Sequence, residues 1–128
     1  MSAIAERDGR KRAYPIAAGV AVTPNTPYVL VAGYLNVVTA GAGAGISAGV
    51  STLDVDNTNG SAGQQRAEVV VGEHKFGNAG DITVATVGSD CYFVTDAQVS
   101  SDSNTGARNK AGKVTQVDTD GVWVQVGV

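Results

Sequence analysis

Val117-Asp118-Thr119-Asp120-Gly121-Val122-Trp123-Val124-Gln125-Val126 is the stretch that decides how this chain is read. Two apolar runs flank Asp120-Gly121, a strong short-range signal for a two-residue hairpin turn. Lys113–Val117 and Val122–Val126 are then the arms of a closing β-hairpin. Asp118 and Asp120 read as turn residues, because short acidic side chains bond their own backbone in turns. Working back, Cys91–Val94 reads as a strand and 100–109 as a polar loop. Residues 82–87 alternate Ile82/Val84/Thr86 against Thr83/Ala85/Val87, which fits a strand or a short helical turn. Arg66–Val71 is a strand candidate with Ala67, Val69 and Val71 on one face. Gly72 interrupts it, and a strand resumes at His74–Phe76. Tyr28–Ala32 and Tyr34–Val38 follow the turn cluster Pro24-Asn25-Thr26-Pro27. No segment carries a convincing helix of ten residues.

Composition supports this reading. The chain has 128 residues, enough for one domain with a single core. It is rich in valine and has 17 glycines, which suits short strands and tight turns. The fold expected is all-β: a small β-barrel or sandwich of short strands with long Gly-rich loops, an extended N-terminal arm (residues 1–14) and a C-terminal hairpin, with 15–128 as one β-rich domain. Pro15 disfavours helix at Tyr14. Residues 40–49 are Ala/Gly-rich and read as a flexible surface loop or as backbone packed closely against a neighbour. Residues 54–65 continue the loop character.

Charge narrows the partners. Net charge is −3, and only 16% of residues are charged. Arg7, Arg10, Lys11 and Arg12 outnumber Glu6 and Asp8 in the first thirteen residues, while the remainder is acidic. An acidic body with a short basic arm argues against nucleic-acid binding. No apolar stretch is long enough to span a membrane. The N-terminus lacks the apolar core of a signal peptide, so synthesis in the cytoplasm is expected.

Candidate chemistry is sparse. A single cysteine precludes an intrachain disulfide. Cys91 lies in an apolar strand, where free cysteine behaves as a small hydrophobe. His74 has no obvious partner, and one Cys with one His cannot build a structural zinc site. The acidic loops fail the EF-hand spacing from Asp54 and from Asp118. The glycines of 40–49 lack the lysine and Ser/Thr of a phosphate loop. Trp123 reads as a core or interface anchor. No catalytic, cofactor or metal residue is assigned.

The C-terminal half carries a resemblance. Gly88–Val99, Ala107-Arg108, Ala111-Gly112-Lys113-Val114 and Val117-Asp118-x-Asp120-Gly121-Val122-Trp123-Val124 resemble the capsid decoration, or cement, proteins of tailed bacteriophages. Ala67-Glu68-Val69-x-x-Gly72-x-x-Lys75-Phe76-x-Asn78-Ala79 is similar to the same family, so the resemblance covers about 66–126. It implies a structural protein on the outer surface of the expanded phage head. Such a protein bridges major capsid protein subunits, does no chemistry, and is a homo-oligomer, with a trimer favoured over a dimer. Arg7, Arg10, Arg12, Tyr14 and Ile16 are the expected capsid contacts, through an arm that adds a strand to a capsid subunit or wraps over it. Tyr28 and Tyr34 are expected at subunit–subunit contacts, since Tyr is enriched at interfaces. Two other classes stay open: another virion component, such as a head fibre base or tail-associated domain, and a small carbohydrate- or host-surface-binding β module.

Overall fold

Valine-rich runs punctuated by glycine become short strands throughout the computed structural model, which describes residues 9–127. In chain order these are β1 (Lys11–Pro15), β2 (Ala21–Val22), β3 (Pro27–Val31), β4 (Tyr34–Asn36), β5 (Ile46–Ser51) and β6 (Val55–Asp56). Then come β7 (Arg66–Val70), β8 (Gly72–Asn78), β9 (Asp90–Thr95), β10 (Gln98–Ser100), β11 (Lys110–Asp118) and β12 (Gly121–Val126). A single 3-10 turn covers Val84–Thr86. No helix among the described residues is long and apolar enough to cross a membrane.

Five strands close into a barrel. β11 pairs with β12, β12 with β8, β8 with β10, β10 with β9, and β9 returns to β11. All these pairs are antiparallel except β8–β10. Closure is possible because β11 bulges at Ala111: Lys110 faces Tyr92, yet Gly112 already faces Cys91. An extra residue on one strand bends it and raises its twist, as a small barrel requires. Gly112 sits there at φ +149, and a Cβ would overlap the carbonyl oxygen of Gln125 on β12. The barrel core holds Phe76, Ile82, Cys91, Phe93, Val99, Ala111, Val114, Val122, Val124 and Val126. Phe76 and Phe93 meet edge to face at 5.8 Å, the favoured geometry for an aromatic pair.

Apart from β2 and β6, which pair as a separate two-stranded sheet, the other five strands build a second layer, in the order β4-β3-β5-β7-β1. It encloses its own core of Ile16, Val22, Tyr28, Leu35, Ala48, Ala67 and Val69. A parallel bridge between Ile16 and Leu35 draws the end of β1 towards β4. β5 is the wall between the two cores. Ala48 belongs to one and Val50 to the other, although they lie two residues apart. Alternation would put both on the same face. Gly49, at φ +138, resolves this, because the β3–β5 register slips there.

Three expectations need correction. Residues 46–49 belong to β5, and Ser47–Ser51 is buried, so the Ala/Gly-rich stretch is half loop and half core strand. Small side chains suit a wall squeezed between two cores. Residues 11–14 are not part of a separate arm, because β1 pairs with β7 from Lys11 to Pro15. The expected boundary at 14/15 falls inside that strand. Pro15 is tolerated because Arg10 and Ile16 bond β7's side of the ladder, which leaves residues 11, 13 and 15 facing away from it. Finally, the closing hairpin pairs Asp118 with Gly121, so its turn residues are Thr119 and Asp120. Gly121 is instead the place where β12 meets β8: its Cβ would lie 2.7 Å from the oxygen of Phe76. The two-residue hairpin with left-handed residues is Ala32-Gly33, at φ 52 and φ 88, between β3 and β4.

Gly112→Ala is expected to cost about 3 kcal/mol or more, from backbone overlap added to an unfavourable φ. Gly80→Ala, at φ +111 with nothing within 4 Å, should cost only about 1 kcal/mol. Urea unfolding of the two variants measures the difference.

Candidate functional site

A cleft lies where the two layers diverge, and it is built by the two loops that the sequence marks as glycine-rich and polar. Asn109, 1% exposed, ties them together. Its Nδ2 donates to the carbonyls of Val38 at 2.8 Å and Ala40 at 2.6 Å, and its Oδ1 accepts from the Gly45 N–H at 2.8 Å. Residues 41–43 and 104–106 are two left-handed turns, each of three successive positive φ values. They pack so closely that a Cβ on Gly43 would overlap the Gly106 carbonyl. Both turns border a cleft of about 490 Å³, which Ile46, Tyr92, Arg108 and Lys110 also line. Arg108 donates to the Asp102 carbonyl at 2.9 Å. Lys110 and Lys113 share the carboxylate of Asp90, at 3.2 Å and 3.0 Å. Those bonds, with Lys113 first, hold the Asp90 carboxyl below its ordinary pKa.

Asn57 plays a similar part in the second layer. It is 2% exposed, and its Nδ2 donates to the carbonyls of Ala17 and Ser61, both at 3.0 Å. Its Oδ1 faces Gly60, where a Cβ would overlap it. Sequence reading passed over both asparagines, because a buried loop anchor and an exposed turn residue look alike in a polar stretch.

The expected contact residues scatter. Arg7 lies outside the described residues. Ile16 is 0% exposed and Tyr28 3%, so both serve the second core and neither offers a surface to a partner. The Tyr28 hydroxyl accepts from the Thr23 N–H at 2.8 Å. Tyr14 and Tyr34 are half-buried. Arg10 is exposed beside Gly72. Arg12 turns back on its own strand and donates to the carbonyls of Lys11 at 2.9 Å and Gly9 at 3.3 Å. Arg66 does the same for Ala13 at 3.1 Å. The outward carbonyls of β1 are therefore occupied and Pro15 offers no N–H, an arrangement that discourages strand addition. Residues 11–15 already serve this chain's sheet, with β1 as its edge strand.

The reactive groups are engaged locally. Cys91 is buried, and burial, with Asp90 alongside, pushes its thiol up to about 12. His74 Nδ1 lies 3.3 Å from the Gly72 carbonyl, and burial lowers its pKa. Lys75 bridges Asp118 at 3.3 Å and Asp120 at 2.5 Å, and sits 5.9 Å from the centre of the Trp123 ring. Trp123 donates from Nε1 to Asp118 at 3.0 Å. The pair Asp118/Asp120 thus braces the hairpin, beyond shaping its turn. No group of three His, Cys, Asp or Glu side chains converges as metal ligands among the described residues.

No family model, curated protein or solved structure matches the chain. What the site does must therefore be argued from its own geometry.

The Cys91 thiol gives an alkaline signature. Its folded pKa is raised above the ordinary 9.0, so the unfolded state loses its proton first. Stability falls as pH rises above that value towards 12. Cys91→Ala should remove this limb from a stability–pH curve. The wild-type thiol should react with a disulfide reagent at pH 8 only after denaturant unfolds the barrel.

Proposed function

We propose that this protein is a structural virion component that binds the outer surface of an expanded phage head and bridges its major capsid protein subunits. The observation that carries this reading is where the resemblance falls. Residues 66–126 resemble capsid decoration proteins, and that segment supplies β7 and all five barrel strands. The similarity thus covers a closed structural unit rather than an arbitrary run of residues.

The surface is compatible with such a role. The 3-10 turn lifts Val84, 77% exposed, and Val87, 45% exposed, onto the barrel exterior. Leu53, 69% exposed, lies in the connection between β5 and β6. Exposed apolar side chains on a weakly charged protein suit contact with a partner. Arg10, Tyr14 and Tyr34 remain as contact candidates from the expected set. Association as a homo-oligomer, with a trimer favoured, belongs to the same proposal. A sugar-binding module is less well supported: Tyr28, Phe76 and Phe93 are buried, and Lys75 covers the Trp123 ring.

The mechanism is linkage. A ligand that binds only the expanded lattice stabilises it by roughly 2.7 kcal/mol per site at a free concentration of one hundred times Kd. Many copies act together on one shell, so modest contacts sum to a large effect.

Purified protein mixed with expanded heads that lack it should co-sediment to a saturating stoichiometry and raise the temperature at which the heads release DNA. Unexpanded heads should bind much less. Failure to co-sediment with expanded heads would reject the proposal. Val84→Asp and Leu53→Asp, both exposed and compatible with folding, should weaken binding if these faces make the contact.

A further inference from the structure

The cleft between the two loops has a composition that the fold does not require. Arg108 and Lys110 stand on one side of it, with Lys113 nearby on the Asp90 carboxylate that it shares with Lys110, and neither Asp nor Glu among the described residues lines the cavity. Among the described residues, the acceptor of Arg108 is a backbone carbonyl, that of Asp102. This local excess of positive charge sits on a chain whose net charge is −3. Asn109 ties the two loops to each other, while Arg108 braces its own loop through the Asp102 carbonyl. Beside them stand Ile46, 55% exposed on the rim, and Tyr92, half-buried. Glycines 43, 45, 106, 112 and 127 line the remaining walls and leave backbone open to the cavity.

We infer that this cleft docks an acidic extended segment of a protein partner, with its carboxylates on Arg108 and Lys110 and an apolar side chain against Ile46. Charge complementarity selects the occupant. Arg108, bonded to a backbone carbonyl, and Lys110, shared with Asp90, in a cavity of about 490 Å³ match one or two carboxylates on a few residues of chain. A nucleic acid would need a broad basic face, which an acidic protein lacks. Ile46 and the glycine walls add contact area that a free inorganic anion could not use. Asp90 is the internal competitor: its carboxylate lies 3.2 Å from the Lys110 ammonium in the absence of a partner. The inference rests on the cleft alone and is independent of binding to phage heads.

The test is an amide NMR titration of the full chain at low salt with hexaglutamate, hexaglutamine and inorganic phosphate. Hexaglutamate should shift amides of 43–47, 92 and 103–112 saturably in the millimolar range, and hexaglutamine should not. Lys110→Gln and Arg108→Gln should each weaken binding about 3- to 5-fold. Asp90→Asn should tighten it by a similar factor, an effect that a merely structural role for these residues would not produce. Lys110→Gln keeps the test sound if Arg108→Gln disturbs the 102–108 loop. Equal shifts with hexaglutamine, stronger shifts with phosphate than with hexaglutamate at equal ionic strength, shifts confined to residues 10–14, or no shift at 10 mM peptide would each overturn the inference.

Discussion

Closure of the barrel at Ala111–Gly112 is the constraint from which the rest of the structure follows. β11 must pair with β12 on one side and β9 on the other, and it does so by spending a residue as a bulge against each, Ala111 against β9 and Thr115 against β12. Gly112 then passes so near Gln125 that no side chain fits. Before β11 begins to pair with β12 at Gly112, its start at Lys110, paired with Tyr92 of β9, touches Ile46 of β5 by a single parallel pair. That contact joins the barrel to the second layer, and the divergence of the two strands opens the cleft. The polar loop bearing Arg108 is held over it because Phe93 donates to the Asn109 carbonyl at 2.9 Å while the Asn109 side chain holds the facing loop.

The second layer depends on a matching device. β5 must supply side chains to two cores at once, and the slip at Gly49 allows this. Its Cβ would lie 2.8 Å from the Val70 oxygen, so β7 approaches closely there too, though less closely than β12 does at Gly112. Both layers thus rely on strands brought nearer than side chains permit. This gives the abundance of glycine a specific physical meaning beyond turn formation.

How much of this was legible in the sequence varied by element. Strands with valine and aromatics, such as β3, β7, β9, β11 and β12, follow from alternation and propensity. The all-β architecture follows with them. β5 did not, because Ala, Gly and Ser lack strand propensity, and its stability comes from tertiary burial. β10 is three residues inside a polar run, and only the burial of Val99 reveals it. Asp120-Gly121 marked the right hairpin but in a register shifted by one, because the glycine answers to β8 across the sheet rather than to the turn. The cleft was least legible. Arg108 and Lys110 are unremarkable in a polar loop, and Ile46 lies sixty residues away in a segment that reads as a linker. Ile16 and Tyr28 show the converse, since composition marks them for contact and the fold uses them as core.

A rigid closed barrel with exposed apolar and cationic features around it suits a protein that acts by contact. That account requires the β9–β11 seam to be a true closure. Hydrogen exchange of the free protein measures it directly. The amides of Phe93 and Val114, which bond Asn109 and Ser89 across the seam, should exchange only through global unfolding, as slowly as the amides shared by β11 and β12. Exchange at the seam orders of magnitude faster than in the hairpin would show an open sheet and contradict the account.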